Sequence, residues 1–93
     1  MTEYITIEPE ATGDPLVMCL LTNVDLTQDG EVEVYPDATA GAEGSALAQT
    51  LFSIPGLAAL TLDGGEMLIT RTKDAEWHDL IEDISDALRD FFL

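Results

Sequence analysis

The segment from Ser45 to Trp77 reads SALAQTLFSIPGLAALTLDGGEMLITRTKDAEW. It constrains the fold more than any other part of the chain. Ser45 is a good N-cap, because its hydroxyl can accept from first-turn amides. Leu47, Leu51 and Ile54 follow at i, i+4 and i+7, one face of a helix. Pro55 then disfavours helical geometry at Ile54 and lacks an amide, and Gly56 turns freely, so the helix stops. Leu57–Leu62 and Met67–Thr72 read as strands joined by Asp63-Gly64-Gly65-Glu66, a sequence suited to a tight hairpin. Asp74 is placed to cap a last helix.

That last helix carries Trp77, Leu80, Ile81, Ile84, Leu88 and Phe91 on one stripe of a 100° wheel. Trp77 therefore reads as a core residue. Asp79, Asp83, Asp86 and Asp90 form the opposite stripe. Like charges at these spacings cost roughly 0.2–0.5 kcal/mol per pair. Asp86 and Asp90 also sit at the negative end of the helix dipole. Folding does not require such a stripe, so these four residues are the candidate partner surface.

Upstream the signals weaken. Tyr4–Glu8 alternates, with Ile5 and Ile7 on one side, and predicts a short half-buried strand. Pro9–Pro15 reads as a loop. Leu16–Thr22 is apolar on both faces and reads as a more buried strand. Between residues 23 and 44, Asp29-Gly30 signals a turn and Val32, Val34 and Tyr35 a brief extended piece. The run DATAGAEG reads as a mobile loop. The expected architecture is one α+β domain over residues 1–93. It is a two-layer sandwich of a four-stranded antiparallel sheet with two helices on one face, in the order ββαββα.

The 93 residues include 19 Asp and Glu against Arg71, Lys73 and Arg89, a formal net charge of −16. Such a balance excludes the basic footprint that direct nucleic-acid binding needs. It also disfavours anionic membrane surfaces. Three readings of the acidity stay open: solubility, a salt-rich cytoplasm, and a surface for a basic partner. The N-terminal MTEYITIEPE lacks the basic and apolar regions of a secretory signal, and no apolar run is long enough to span a membrane. The expectation is a cytoplasmic monomer.

The residues with chemical potential each have an ordinary structural explanation. Cys19, the only cysteine, lies within LVMCLL with no cationic neighbour to lower its pKa, and reads as a buried structural thiol. One thiol per chain cannot supply the usual four ligands of an iron–sulfur cluster. His78 stands beside Asp79 with Glu82 one turn on and reads as a solvated side chain. Zinc needs more nitrogen or sulfur ligands than this. Asp25, Thr27, Asp29 and Gly30 imitate the start of a calcium loop, but the twelfth position is Pro36 where a bidentate Glu belongs. Asp63-Gly64-Gly65 lacks a phosphate-cradle pattern. No catalytic residue, metal or cofactor is expected.

Two motifs in this frame resemble the N-terminal domain of Nfu/NifU-like iron–sulfur cluster scaffold proteins. LAQTLFSIPGL is similar to that family's first helix, stop and following strand. MLITRTKD followed by AEW is similar to its last strand and the start of its final helix. The chain departs from the family in the Pro9–Pro15 loop and at Arg71, where an aliphatic residue is common. The family's cluster-binding C-x-x-C pair belongs to a C-terminal domain, and the expectation here is an N-terminal-like domain standing alone. The resemblance implies a non-enzymatic protein-interaction module, accessory to iron–sulfur cluster assembly or delivery and not itself a cluster ligand. Its partner would be another protein, of the assembly machinery. The alternative is an acidic protein that mimics nucleic acid and occupies a basic site.

Overall fold

The computed structural model describes residues 5–27 and 30–92. Five strands and three helices follow in the order β1 (Ile7–Ala11), β2 (Val17–Thr22), β3 (Val32–Tyr35), α1 (Ala38–Ala42), α2 (Ala46–Phe52), β4 (Leu57–Asp63), β5 (Glu66–Arg71) and α3 (Trp77–Phe92). The strands form one antiparallel sheet in the spatial order β1-β2-β5-β4-β3. The α+β class holds. The expected four-strand, two-helix order ββαββα is corrected to five strands and three helices.

The two expected hairpins are present and meet through β2 and β5. The fifth strand is β3, which lies beyond β4 at the sheet's far edge. To reach it, the chain leaving β2 passes the β4–β5 turn and is pinned there. The Leu26 amide donates to the Gly64 carbonyl at 2.8 Å, and the Gly64 amide donates to the Thr27 hydroxyl at 3.2 Å. Gly64 has φ +57°, the left-handed geometry that a two-residue hairpin turn demands.

The third helix lies where a mobile loop was expected. Asp37 caps α1 by accepting from the Ala40 amide at 2.8 Å. Gly41 leaves room for the Phe52 ring, which a Cβ would strike. Phe52 in turn meets Tyr35 edge-on, with ring centroids 6.3 Å apart. The small residues of DATAGAEG therefore admit two aromatic rings against a helix of five residues, too short to hold by itself.

α2 forms as the sequence predicts. Ser45 accepts from the Ala48 amide at 3.3 Å, and Leu47, Leu51 and Ile54 are buried. Gly56 takes φ +96° at the stop. β1 lies further along the chain than expected: it begins at Ile7, and its strand runs into the Pro9–Pro15 segment as far as Ala11. Its register is set by β2, where Glu10 pairs with Cys19 and Ile7 with Thr22. Tyr4 lies outside the described residues.

The core joins Leu20, Leu60, Leu62, Met67 and Ile69 of the sheet to Leu47, Leu51, Leu80, Ile84 and Leu88 of α2 and α3. Each such side chain, fully buried, contributes roughly 1.5–3 kcal/mol. Leu80, Ile84 and Leu88 confirm the α3 stripe, with Trp77 and Ile81 packed at its margin. Phe91 does not join it. It is 43% exposed and packs edge-on against Phe92, because the last turn of α3 runs past the core.

Candidate functional site

Strand alternation leaves the other sheet face uncovered among the described residues. Directly paired residues share a face. Glu10, Cys19, Leu68, Thr61 and Val34 thus form one row across the sheet, and Glu8, Leu21, Glu66, Asp63 and Val32 the next. Leu68, Val32 and Val34 are exposed. Asp63 and Glu66 oppose each other directly, a like-charge pair that costs rather than stabilises.

Cys19 belongs to this open face and is half-buried, not a core thiol. Its neighbour Leu20 takes the core side. Partial burial pushes the thiol pKa up, and the charges of Glu66 and then Glu10 push it further. The group is thus held in its unreactive protonated form at neutral pH.

The acidic stripe of α3 divides into two halves. Asp79, Asp83, Asp86 and Asp90 are all exposed. Asp79 and Asp83 join Asp74, Glu76 and Glu82 around a groove of about 770 Å³, walled by Pro55 and Gly56. Asp86 instead meets Arg89 at 3.3 Å. Asp74 does not cap α3. Its carboxylate accepts from the Thr72 hydroxyl at 2.8 Å, and the helix begins only at Trp77. The groove lies beside this non-helical lead-in. It adds Asp74, Glu76 and Glu82 to the acidic set, three residues that the wheel pattern of α3 did not single out. Their only sequence signal was the density of acids on either side of the helix start.

Arg71 holds the chain around that start. Its Nη1 donates to the carbonyls of Thr72 (3.1 Å), Lys73 (3.3 Å) and Ala75 (2.9 Å), and its Nε to that of Pro15 (3.3 Å). An aliphatic residue there would leave these carbonyls without the donor.

His78 is well exposed and lies 3.8 Å from Glu82. Thr27 is buried and occupied by its bond from Gly64, and Asp29 lies outside the described residues. Among the described residues no three His, Cys, Asp or Glu side chains gather as a metal site requires. No helix among them is long and apolar enough to cross a membrane.

Known proteins share this architecture. A solution structure of a NifU-like protein from Saccharomyces cerevisiae superposes with a TM-score of 0.77 at 21% identity, covering 97% of this chain and 82% of that one. The crystal structure of protein SAV1430 from Staphylococcus aureus gives a TM-score of 0.70 at 11% identity, covering 88% of this chain and 96% of that one. These likenesses show the fold. In sequence, the chain is 28% identical over 86 residues to the mitochondrial NFU1 iron-sulfur cluster scaffold homolog of Drosophila ananassae. The match covers 92% of this chain and spans 30% of that relative's length. Residues 7–93 match the family described as scaffold protein Nfu/NifU N terminal. The match covers both helix-flanking motifs and both hairpins, and the chain belongs to the Nfu/NifU N-terminal domain family.

Proposed function

We propose that this domain is a non-enzymatic protein-interaction module, accessory to iron–sulfur cluster assembly or delivery and not itself a cluster ligand. Family membership supports the biological setting. The observation that carries the interaction role is the groove at the start of α3. Five carboxylates, Asp74, Glu76, Asp79, Glu82 and Asp83, line it. Arg71 has its guanidinium committed to backbone carbonyls, and the exposed Lys73 beside Asp74 is the one other cation near in sequence, so carboxylates outnumber cations around the groove. Asp79 and Asp83, with Asp86 and Asp90 further along the helix, then form the partner surface. Complementary charge of this kind speeds encounter and selects the partner.

Co-purification with the tagged chain tests this reading. Recovery of cluster-assembly proteins or their clients, reduced by the double substitution Asp79→Asn/Asp83→Asn, is the expected result. Recovery of general chaperones alone would refute it. Cytoplasmic residence and a monomeric state belong to the same proposal, and fractionation and light scattering check them.

A second reading is an acidic decoy for a basic nucleic-acid-binding site. The net charge of −16 and the exposed aspartates of α3 favour it. It requires competition with DNA for a partner and an affinity that falls steeply with salt.

A further inference from the structure

The two edges of the sheet are built differently. β1 carries Pro9 between Glu8 and Glu10, all exposed, which guards that edge against further pairing. Among the described residues β3 bonds to β4 on one side only, and it has no proline within Val32–Tyr35. Val32 and Val34 are 57% and 63% exposed, the two highest values among the large apolar side chains of the described residues.

The edge is also two-sided in chemistry. Val32 and Val34 pair with Asp63 and Thr61 and share the open face. Glu33 pairs with the core residue Leu62 and so lies on the helix side, where its carboxylate accepts from the Tyr35 hydroxyl. There Glu33, Glu31 and Asp25 border a groove of about 390 Å³, with Ala46 and Phe91 among its other walls. An apolar rim on one side of a free strand and three carboxylates on the other form a template with period two.

We propose that the free edge of β3 takes up an extended segment of a basic partner protein as a sixth strand. Lys or Arg at alternate positions faces Asp25, Glu31 and Glu33, and β-branched residues between them lie beside Val32 and Val34. Main-chain bonds give such strand addition its affinity, and alternate side chains give it specificity. A second copy of the chain is disfavoured, because β3 against β3 would bring these glutamates together between two chains of net charge −16. The inference rests on the reading of the domain as an interaction module, and places a second contact on a surface separate from the α3 groove.

Three synthetic peptides test it against the whole chain by calorimetry at low salt. One alternates Lys and Val. The second is the same peptide N-methylated at alternate residues on its bonding edge. The third alternates Lys and Ser. The first should bind about tenfold more tightly than the N-methylated peptide, the equivalent of one or two main-chain hydrogen bonds, and about tenfold more tightly than the Lys/Ser peptide, which loses the apolar contact with Val32 and Val34. Hydrogen exchange should slow at the β3 amides. Val34→Lys should weaken binding similarly, and Asp79→Asn/Asp83→Asn should weaken it far less, through long-range charge alone. Equal affinity for all three peptides would overturn the proposal, as would binding lost with the α3 double substitution and kept with Val34→Lys. These probes do not depend on the capture experiment. Strand addition without recovery of assembly proteins refutes the functional reading alone. Capture that Val34→Lys leaves intact, together with equal peptide affinities, refutes the edge alone.

Discussion

The guanidinium carbon of Arg71 lies 5.7 Å from the Trp77 ring centroid, and both residues donate to the Pro15 carbonyl, from Nε at 3.3 Å and Nε1 at 3.0 Å. One carbonyl in the β1–β2 loop thereby ties the end of β5 to the start of α3. Replacing Arg71 by Met keeps a long side chain and removes every donor. The expected loss is about 1.5–3 kcal/mol, as for hydrogen bonds from a charged group. Arg71→Lys should recover only part of it, because an ammonium cannot reproduce the planar fork. Urea unfolding followed by Trp77 fluorescence measures both, and equal stability of the Met variant and the parent would show that the knot is incidental.

Gly56 combines φ +96° with a close neighbour: a Cβ built there falls 2.7 Å from the Ala75 Cβ. Gly56→Ala should cost at least about 1–2 kcal/mol from backbone conformation alone. Gly13 has open space around it and no positive φ. Gly13→Ala should be neutral or stabilise by up to about 1 kcal/mol by restricting the unfolded chain. Thermal melts of the two variants should move apart.

α3 offers a matched comparison on one helix. Ile84 is fully buried and Phe91 is 43% exposed. Ile84→Ala should cost about 2–5 kcal/mol. Phe91→Ala removes the larger side chain and should cost about 0.5–1 kcal/mol. Chemical denaturation of both variants checks the order, which residue size alone would reverse.

The raised pKa of Cys19 predicts slow alkylation by iodoacetamide near neutral pH compared with a free thiol. Glu66→Gln should accelerate it, and Glu10→Gln to a smaller degree. The sign for stability follows from the direction of the shift. A thiol whose folded pKa lies above its unfolded value adds stability below the unfolded pKa. That contribution is lost as pH rises through the folded value, which lies above the ordinary thiol range. Unfolding free energies measured across the alkaline range should therefore fall, and Cys19→Ser should flatten that part of the fall.

A net charge of −16 on 93 residues opposes the compact state through self-repulsion. Raising salt shortens the screening length from about 30 Å at 0.01 M to about 3 Å at 1 M. The melting temperature should rise over that range. A flat profile would show that the carboxylates, including the opposed pair Asp63–Glu66, do not strain the fold.

The parts of the fold legible in the sequence were those with local causes. Ser45 capped α2, Gly56 and Gly64 took the positive φ values their turns need, and β4 and β5 lay within one residue of expectation. The acidic face of α3 was legible for the same reason, since its spacing is a property of the helix. Its groove was not. Asp74, Glu76 and Glu82 join Asp79 and Asp83 where the segment bonded by Arg71 leads into a helix that begins at Trp77.

By itself the sequence determined the helix–stop–hairpin–helix order from Ser45 onward and the apolar stripe of Leu80, Ile84 and Leu88. Each rests on contacts within a few residues, where φ, capping and helical period leave few alternatives. Only the tertiary structure decided that β3 crosses to the far edge of β4, that Cys19 faces outward, and that α1 forms beneath Tyr35 and Phe52. Those outcomes depend on which strands pair over long separations, and a single residue's slip in register exchanges the two faces of a strand.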